Sequence, residues 1–171
     1  MSISVIIPFA RGDKERQDGL CLLLSLIEKQ TFKDFEIVLV EMTQDGTGVY
    51  LPRKPDQHIL VPYVGVMSKS WICNIGVKAS KNNDLLFIDA DSQFDERFFQ
   101  TIYDFHNNYK NKCFVCWDKC RMLQGRDEPT ERECNAYHMK AMAHAWFFEK
   151  EFYWKCGGMN EKYFGYGAED Q

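Results

Sequence analysis

No apolar run in these 171 residues approaches the roughly 20 that cross a bilayer. The longest, residues 20–27, is broken by Ser25, so a membrane span within the sequence is excluded. The opening residues, Met-Ser-Ile-Ser-Val-Ile-Ile-Pro, lack a basic start and a long apolar stretch followed by small residues, and no secretory leader is expected. Basic clusters are missing as well. The 21 Lys and Arg are scattered among 25 Asp and Glu, for a formal charge of −4, which leaves no electrostatic footprint for duplex nucleic acid. Neither a repeat, a low-complexity tract nor a linker interrupts the chain, so a single domain is expected. The 7 cysteines are an odd set spread through apolar segments, which suits reduced thiols and a cytoplasmic location better than a disulfide framework.

What is present is a β-α-β pattern. Residues 3–8 (Ile-Ser-Val-Ile-Ile-Pro) form a short β-branched run ending at proline, read as a buried strand. Apolar residues at 20, 22, 23, 24, 26 and 27 predict a buried helix closing near Gln30, and residues 35–40 a second buried strand. A loop follows over 43–62, holding a short strand near 59–61. A helix is predicted over 68–80, with Trp71, Ile72 and Ile75 on its core face. Residues 85–88 form a third central strand, 95–109 a helix and 113–117 another strand, while 124–134 is charged, lacks a period and reads as loop. The fold class is α/β, with a central, mostly parallel sheet flanked by helices. In such sheets ligands bind beyond the carboxyl ends of the strands, which here carry Pro8, Phe9, Ala10 and Arg11, then Glu41, then Asp89-Ala90-Asp91.

Asp89 and Asp91 follow an apolar strand directly, and alternation points both carboxylates the same way. Two such oxygens suit a hard divalent cation, Mn²⁺ or Mg²⁺, that keeps positions open for phosphate. An Asp-x-Asp also serves as a turn after a strand, so context decides. Residues 157–170 supply it: glycines flank Tyr163, Phe164 and Tyr166, flat faces that suit sugar rings, and Glu169-Asp170 adds carboxylates able to act as a general base. A surface turn capped by acids is the plainer reading of the same stretch.

Together, Val5-Ile6-Ile7-Pro8, Gln30-Thr31-Phe32, Phe87-Ile88-Asp89-Ala90-Asp91 and Gly157-Gly158-Met159-Asn160-Glu161 leading to Gly167-Ala168-Glu169-Asp170 resemble a GT-A glycosyltransferase. The likeness covers nearly the whole chain, is of family 2 type, and implies a single Rossmann-like GT-A domain. Two segments are similar to the galactosyltransferase-like group that includes a module of bacterial chondroitin polymerases. Residues 67–76 parallel that group's Phe-Asn-Arg-Ala…Asn-x-Gly, and Tyr-Phe-Gly-Tyr-Gly-Ala-Glu-Asp at 163–170 parallels its Trp-Gly-Trp-Gly-Gly-Glu-Asp.

The resemblance implies metal-dependent, inverting transfer of a sugar from a nucleotide sugar, a UDP-sugar, to a glycan or other hydroxyl-bearing acceptor. A nucleotide-sugar-binding half would occupy residues 1–92 and an acceptor-side half 93–171. Pro8, Phe9 and Arg11 would line the base and ribose, Glu41 the base or sugar edge, and Lys69 would face the diphosphate as a point charge where the group has arginine. Asp89 and Ala90 would meet the ribose or metal and Asp91 would ligate the metal. Asp170 would be the base with Glu169 beside it, and Tyr166 and Gly167 would form the acceptor-side lid.

The sequence departs from the pattern in two places. Strand two ends in Val40-Glu41-Met42 instead of paired aspartates, and related enzymes continue past the acidic pair, often to a histidine that completes the metal shell. With the sequence ending at Gln171, an incomplete acceptor half is expected. His138 and His144 read as surface or packing residues, Trp146 and Phe148 as core, and Cys113, Cys116, Cys120 and Cys134 as free thiols before a zinc site, since strand alternation sets 113 and 116 on opposite faces. The competing readings are a nucleotidyltransferase, for which the N-terminus lacks a Gly-rich basic loop, and a non-catalytic nucleotide-sugar or glycan-binding module or inactive fragment.

Overall fold

The computed structural model describes residues 2–12, 14–63, 65–110, 112–116, 119–124, 130–135 and 144–163. The elements run β1 (Ile3–Ala10), α1 (Lys14–Glu28), β2 (Phe35–Thr43), β3 (Gln57–Pro62), α2 (Lys69–Ala79), β4 (Asp84–Ile88), α3 (Phe98–Tyr109), β5 (Cys113–Val115), β6 (Lys119–Gln124), β7 (Thr130–Asn135), β8 (Ala145–Glu149) and α4 (Lys150–Lys155). Six strands form the main sheet in the order β3-β2-β1-β4-β8-β5; β6 and β7 form a separate antiparallel hairpin. The loop expected over 124–134 is therefore half strand. Its charged residues hide the pairing, because they follow no apolar alternation that a strand reading could use.

β3, β2, β1 and β4 are mutually parallel, whereas β8 runs antiparallel to both β4 and β5. Period-two alternation divides the strands between two cores. Ile3, Val5, Ile7 and Phe9 of β1, Leu86 and Ile88 of β4 and Phe147 of β8 pack with α1 and α3. Ile6, Leu85, Phe87 and Trp146 face the side of α2, where Cys73, Val77, Tyr153 and Met159 meet them. The α1 face rests on Leu20, Leu23, Leu24 and Ile27, all 0% exposed, at the i, i+3, i+4, i+7 spacing of one helical stripe. On the other face Gly76 lets α2 lie against the sheet: a Cβ there would sit 2.6 Å from Cγ2 of Ile6.

Polar side chains fix the joints. Gln30, buried at the end of α1, donates to the Asp95 carbonyl at 2.7 Å and accepts from Phe99 N–H at 2.9 Å. It thereby caps α3, whose own N-cap residue makes no side-chain cap bond.

Strand β1 continues through Pro8 to Ala10 against β2, but its pairing with β4 stops at Ile6↔Phe87. Proline cannot donate to a ladder, and its missing N–H costs least where one neighbour has already departed. Because β2 and β3 lie on one side of β1 and β4 on the other, this is where the strand order reverses and an open α/β sheet forms its binding crevice.

At the opposite end of the sheet, buried Glu36 accepts from Ser4 Oγ and from Lys81 N–H, both at 2.6 Å, and from Gln57 Nε2 at 3.2 Å. Burial alone would raise this carboxyl's pKa. The bonds from Ser4, Lys81 and Gln57 outweigh it and hold the group below the ordinary value of 4.5. A depressed folded-state pKa adds stability above the unfolded value, and that contribution disappears as pH falls through the folded one. Glu36→Gln is expected to lower stability at pH 7 by about 1–2 kcal/mol. It is also expected to flatten the decline below pH 4.5, both read from urea midpoints between pH 3 and 7.

Candidate functional site

The crevice is lined by Pro8 from β1, Lys69 and Cys73 from α2, Phe87 and Asp89 from β4, His144 and Trp146 from β8, and Met159. Alternation carries Leu85, Phe87 and then Asp89 to the face of α2. The antiparallel register Ile88↔Ala145 brings residue 144 opposite residue 89, and Asp89 N–H donates to the His144 carbonyl at 3.0 Å. Ser92 ties the turn down, donating its N–H to the Asp89 carbonyl at 3.0 Å and its hydroxyl to the His144 carbonyl at 3.2 Å.

One ligand atom from each of Asp89, Asp91 and His144 lies within 4.8 Å of the others. Two carboxylate oxygens and an imidazole nitrogen suit Mn²⁺, and Mg²⁺ less well, since magnesium prefers an all-oxygen shell. The local electrostatics ask for a cation. Burial raises the Asp89 pKa and Asp91 adds to that, while Lys69 and His144 oppose it, leaving a net upward shift. Lys69 Nζ stands 2.8 Å from Asp89 Oδ1, and His144 Nδ1 4.0 Å from Oδ2. The same ammonium lies 5.8 Å from the centroid of Trp146. Trp146 Nε1 is buried and is among the described side-chain atoms with no hydrogen-bond partner.

Lys69 is the first residue of α2, and Ser68 caps that helix by accepting from Trp71 N–H at 3.3 Å. The positive end of the helix dipole thus opens at the crevice, where it favours an anion. Ser68 Oγ also donates to the Tyr163 carbonyl at 3.1 Å. Deeper in α2, buried Asn74 joins the helix to the segment that carries the second motif. Its Nδ2 donates to the Met159 carbonyl and to Glu161 Oε1, both at 2.8 Å. Its Oδ1 accepts from Met159 N–H at 3.1 Å and from the Tyr153 hydroxyl. Gly158 turns beside it at φ +69, and a Cβ there would be 3.0 Å from Asn74 Oδ1.

The remaining expected residues lie along the carboxyl ends of the strands with different surroundings. Phe9 is buried in the core on the α1 side. Arg11 Nη1 bonds both oxygens of Asp45 at 3.0 Å and Thr47 Oγ1 at 2.9 Å. Those bonds clasp the loop after β2; the hydrogen bonds from the Thr43 hydroxyl and from the Thr47 N–H and hydroxyl, with a smaller contribution from Arg11, hold the Asp45 carboxyl far below its usual range. Glu41 is 0% exposed, accepting from Val49 N–H at 3.1 Å and meeting His58 Nε2 at 2.8 Å. Ala90 is half-buried, and a Cβ on Gly19 of α1 would approach its carbonyl to 3.6 Å. Tyr166, Gly167, Glu169 and Asp170 lie outside the described residues, as do His138 and the side chains of Cys120 and Cys134.

His144, expected as a surface or packing residue, lines the crevice, and Trp146, expected as core, is buried in the core on the α2 side and lines the crevice as well. The missed signal was the strand that His144 precedes: β8 pairs with β4, so whatever comes just before β8 meets whatever comes just after β4. Trp71, expected on the core face of α2, is exposed. Cys113 and Cys116 are free thiols, and burial pushes the Cys116 thiol up.

Solved structures share this fold. TarS 1–349 of S. aureus in complex with UDP matches with a TM-score of 0.70 at 16% identity, over 100% of this chain and 53% of its own. The same protein in complex with UDP-GlcNAc gives 0.68 at 15%, over 100% and 51%. The mannosyltransferase PcManGT from Pyrobaculum calidifontis, in complex with GDP-Man and Mn²⁺, gives 0.62 at 14%, over 98% and 49%. These neighbours are glycosyltransferases of GT-A type, and the fold here is GT-A. The chain spans about half the length of the structures it matches. No protein-family model and no curated protein matches the sequence. Among the described residues no helix is long and apolar enough to cross a membrane.

The Asn74 hub predicts a specific defect. Asn74→Ala strands the Tyr153 O–H and the Met159 carbonyl, leaving the Met159 N–H only its 3.3 Å bond to the Tyr153 hydroxyl, and is expected to cost about 3 kcal/mol in urea unfolding. Amide exchange at residues 157–161 should rise more than in β1 or β2.

Proposed function

We propose that this chain is the nucleotide-sugar-binding part of a metal-dependent glycosyltransferase that transfers a sugar from a UDP-sugar to a hydroxyl acceptor. The observation that carries the reading is the meeting of Asp89, Asp91 and His144 at the crevice where the strand order reverses, with Lys69 beside them. UDP, UDP-GlcNAc and GDP-Man with Mn²⁺ accompany the structures of the same fold, which supports a nucleotide sugar as donor. Residues 1–92 form the donor half in this reading and residues 93–171 belong to the acceptor side. The segments at 67–76 and 163–170 support a place in the galactosyltransferase-like group.

Each residue has a physical task. Asp89, Asp91 and His144 hold the divalent cation, whose contribution when bound is to offset charge on the departing diphosphate. Lys69 and the α2 N-terminus supply further positive potential to the same oxygens. Pro8 and Phe9 border the nucleoside through their backbone, since the Phe9 ring is committed to the core. Arg11 clasps the loop after β2, and Glu41 pins that loop through Val49, so both shape the base edge by holding backbone. Ala90 lets the Asp89-Ala90-Asp91 turn lie close over α1. Trp146 and Met159 exclude water from the diphosphate end. Asp170 takes the proton of the acceptor hydroxyl, with Glu169 orienting that acceptor and Tyr166 and Gly167 closing over it. Attack from the face opposite the diphosphate inverts the anomeric centre.

Isothermal titration of UDP with and without Mn²⁺ tests the donor site. Binding is expected to tighten at least tenfold with Mn²⁺ in the wild type, and the gain to vanish in Asp91→Ala and shrink in His144→Ala. Metal-independent binding, unchanged in both variants, would remove the proposal.

A further inference from the structure

The candidate cation site and the one ammonium that lines the crevice among the described residues share one carboxylate. Lys69 Nζ is 2.8 Å from Asp89 Oδ1, and Asp89 is one of the three residues whose ligand atoms cluster within 4.8 Å. A carboxylate engaged by an ammonium at hydrogen-bond distance has lost much of its negative potential. A divalent ion arriving at the same carboxylate meets a like charge a few ångströms away. The side chains of Lys69 and Asp89 are 17% and 26% exposed, so water screens this repulsion poorly.

Given the donor-site reading above, we infer that Lys69 competes with the divalent cation for Asp89, and that the nucleotide diphosphate relieves the competition by drawing the ammonium onto its own oxygens. The crevice offers the alternative perch. Lys69 projects from the first turn of α2, whose N-terminus opens on the same space, and its ammonium already lies over the Trp146 ring at 5.8 Å. An anion seated against that helix end can take the ammonium without moving the backbone. Metal and nucleotide then bind with positive coupling, part of which is carried by Lys69. Coupling is reciprocal, so the same factor appears whichever ligand is added first. Lys69 acts here as a positioning residue that keeps metal affinity low until a diphosphate is present.

The test is Mn²⁺ binding, read from the electron paramagnetic resonance signal of free Mn²⁺, for the wild type, Lys69→Met, Lys69→Arg and Asp91→Ala. Each is titrated with and without UDP, and Mn²⁺ taken by UDP alone is measured in protein-free samples. Lys69→Met keeps the aliphatic stem and removes the charge. It should bind Mn²⁺ alone about tenfold more tightly than the wild type and show a smaller gain on adding UDP. Lys69→Arg should keep the wild-type pattern. Trp146 gives a second readout: joint addition of UDP and Mn²⁺ should change tryptophan emission in the wild type and much less in Trp146→Phe or Lys69→Met. If Lys69→Met binds Mn²⁺ alone no more tightly than the wild type while Asp91→Ala loses it, the competition is refuted and the metal site stands. If Asp91→Ala binds Mn²⁺ like the wild type, the donor-site reading fails and the competition falls with it.

Discussion

The site depends on the register between β4 and β8. These strands are distant in sequence and antiparallel, and the bond from Asp89 N–H to the His144 carbonyl at 3.0 Å closes their shared end. A slip of β8 by one residue against β4 would turn Trp146 to the wrong core and carry His144 away from Asp89. Apolar packing on both faces therefore enforces the same register that assembles the polar groups. The aromatic contacts of Phe87 with Trp146, at 6.0 Å between centroids, and with Tyr153, at 5.5 Å, secure the strand directly beneath Asp89.

A second constraint holds the surroundings of the crevice in place. Asn74 satisfies backbone groups around Met159 from inside the α2 core, and Ser68 reaches the Tyr163 carbonyl from the helix cap. The segment that leads into the second acidic motif is thus fastened to the helix that presents Lys69. The crevice lysine and the segment around Met159 share one rigid support, and on the proposed reading that suits chemistry in which two substrates are held in a fixed relation.

Much of the crevice was legible because it is local. The run Leu85–Ile88 followed at once by Asp89-Ala90-Asp91 shows a buried strand and two carboxylates on one side without any knowledge of the neighbours. The i, i+3, i+4, i+7 leucines and isoleucine of α1 are equally plain. What could not be read depends on pairing between distant segments. His144 gains its meaning from β4: the strand that follows it can be read locally, but the pairing of that strand with β4 cannot. Trp71 lies within a helix whose apolar residues go all round, so periodicity could not choose its face. Glu41 sits at the expected strand end, but its bonds to Val49 and His58 are set by how the following loop folds back. The hairpin of β6 and β7 was hidden because its charged residues follow no apolar alternation.

On the proposed reading, Asp89, Asp91 and His144 hold one divalent cation at the point where the strand order reverses. Crystals grown with UDP and Mn²⁺, measured at the manganese absorption edge, test it most directly. An anomalous difference peak is expected within coordination distance of all three side chains. A peak elsewhere, or UDP bound in the crevice with no peak among these residues, would contradict it.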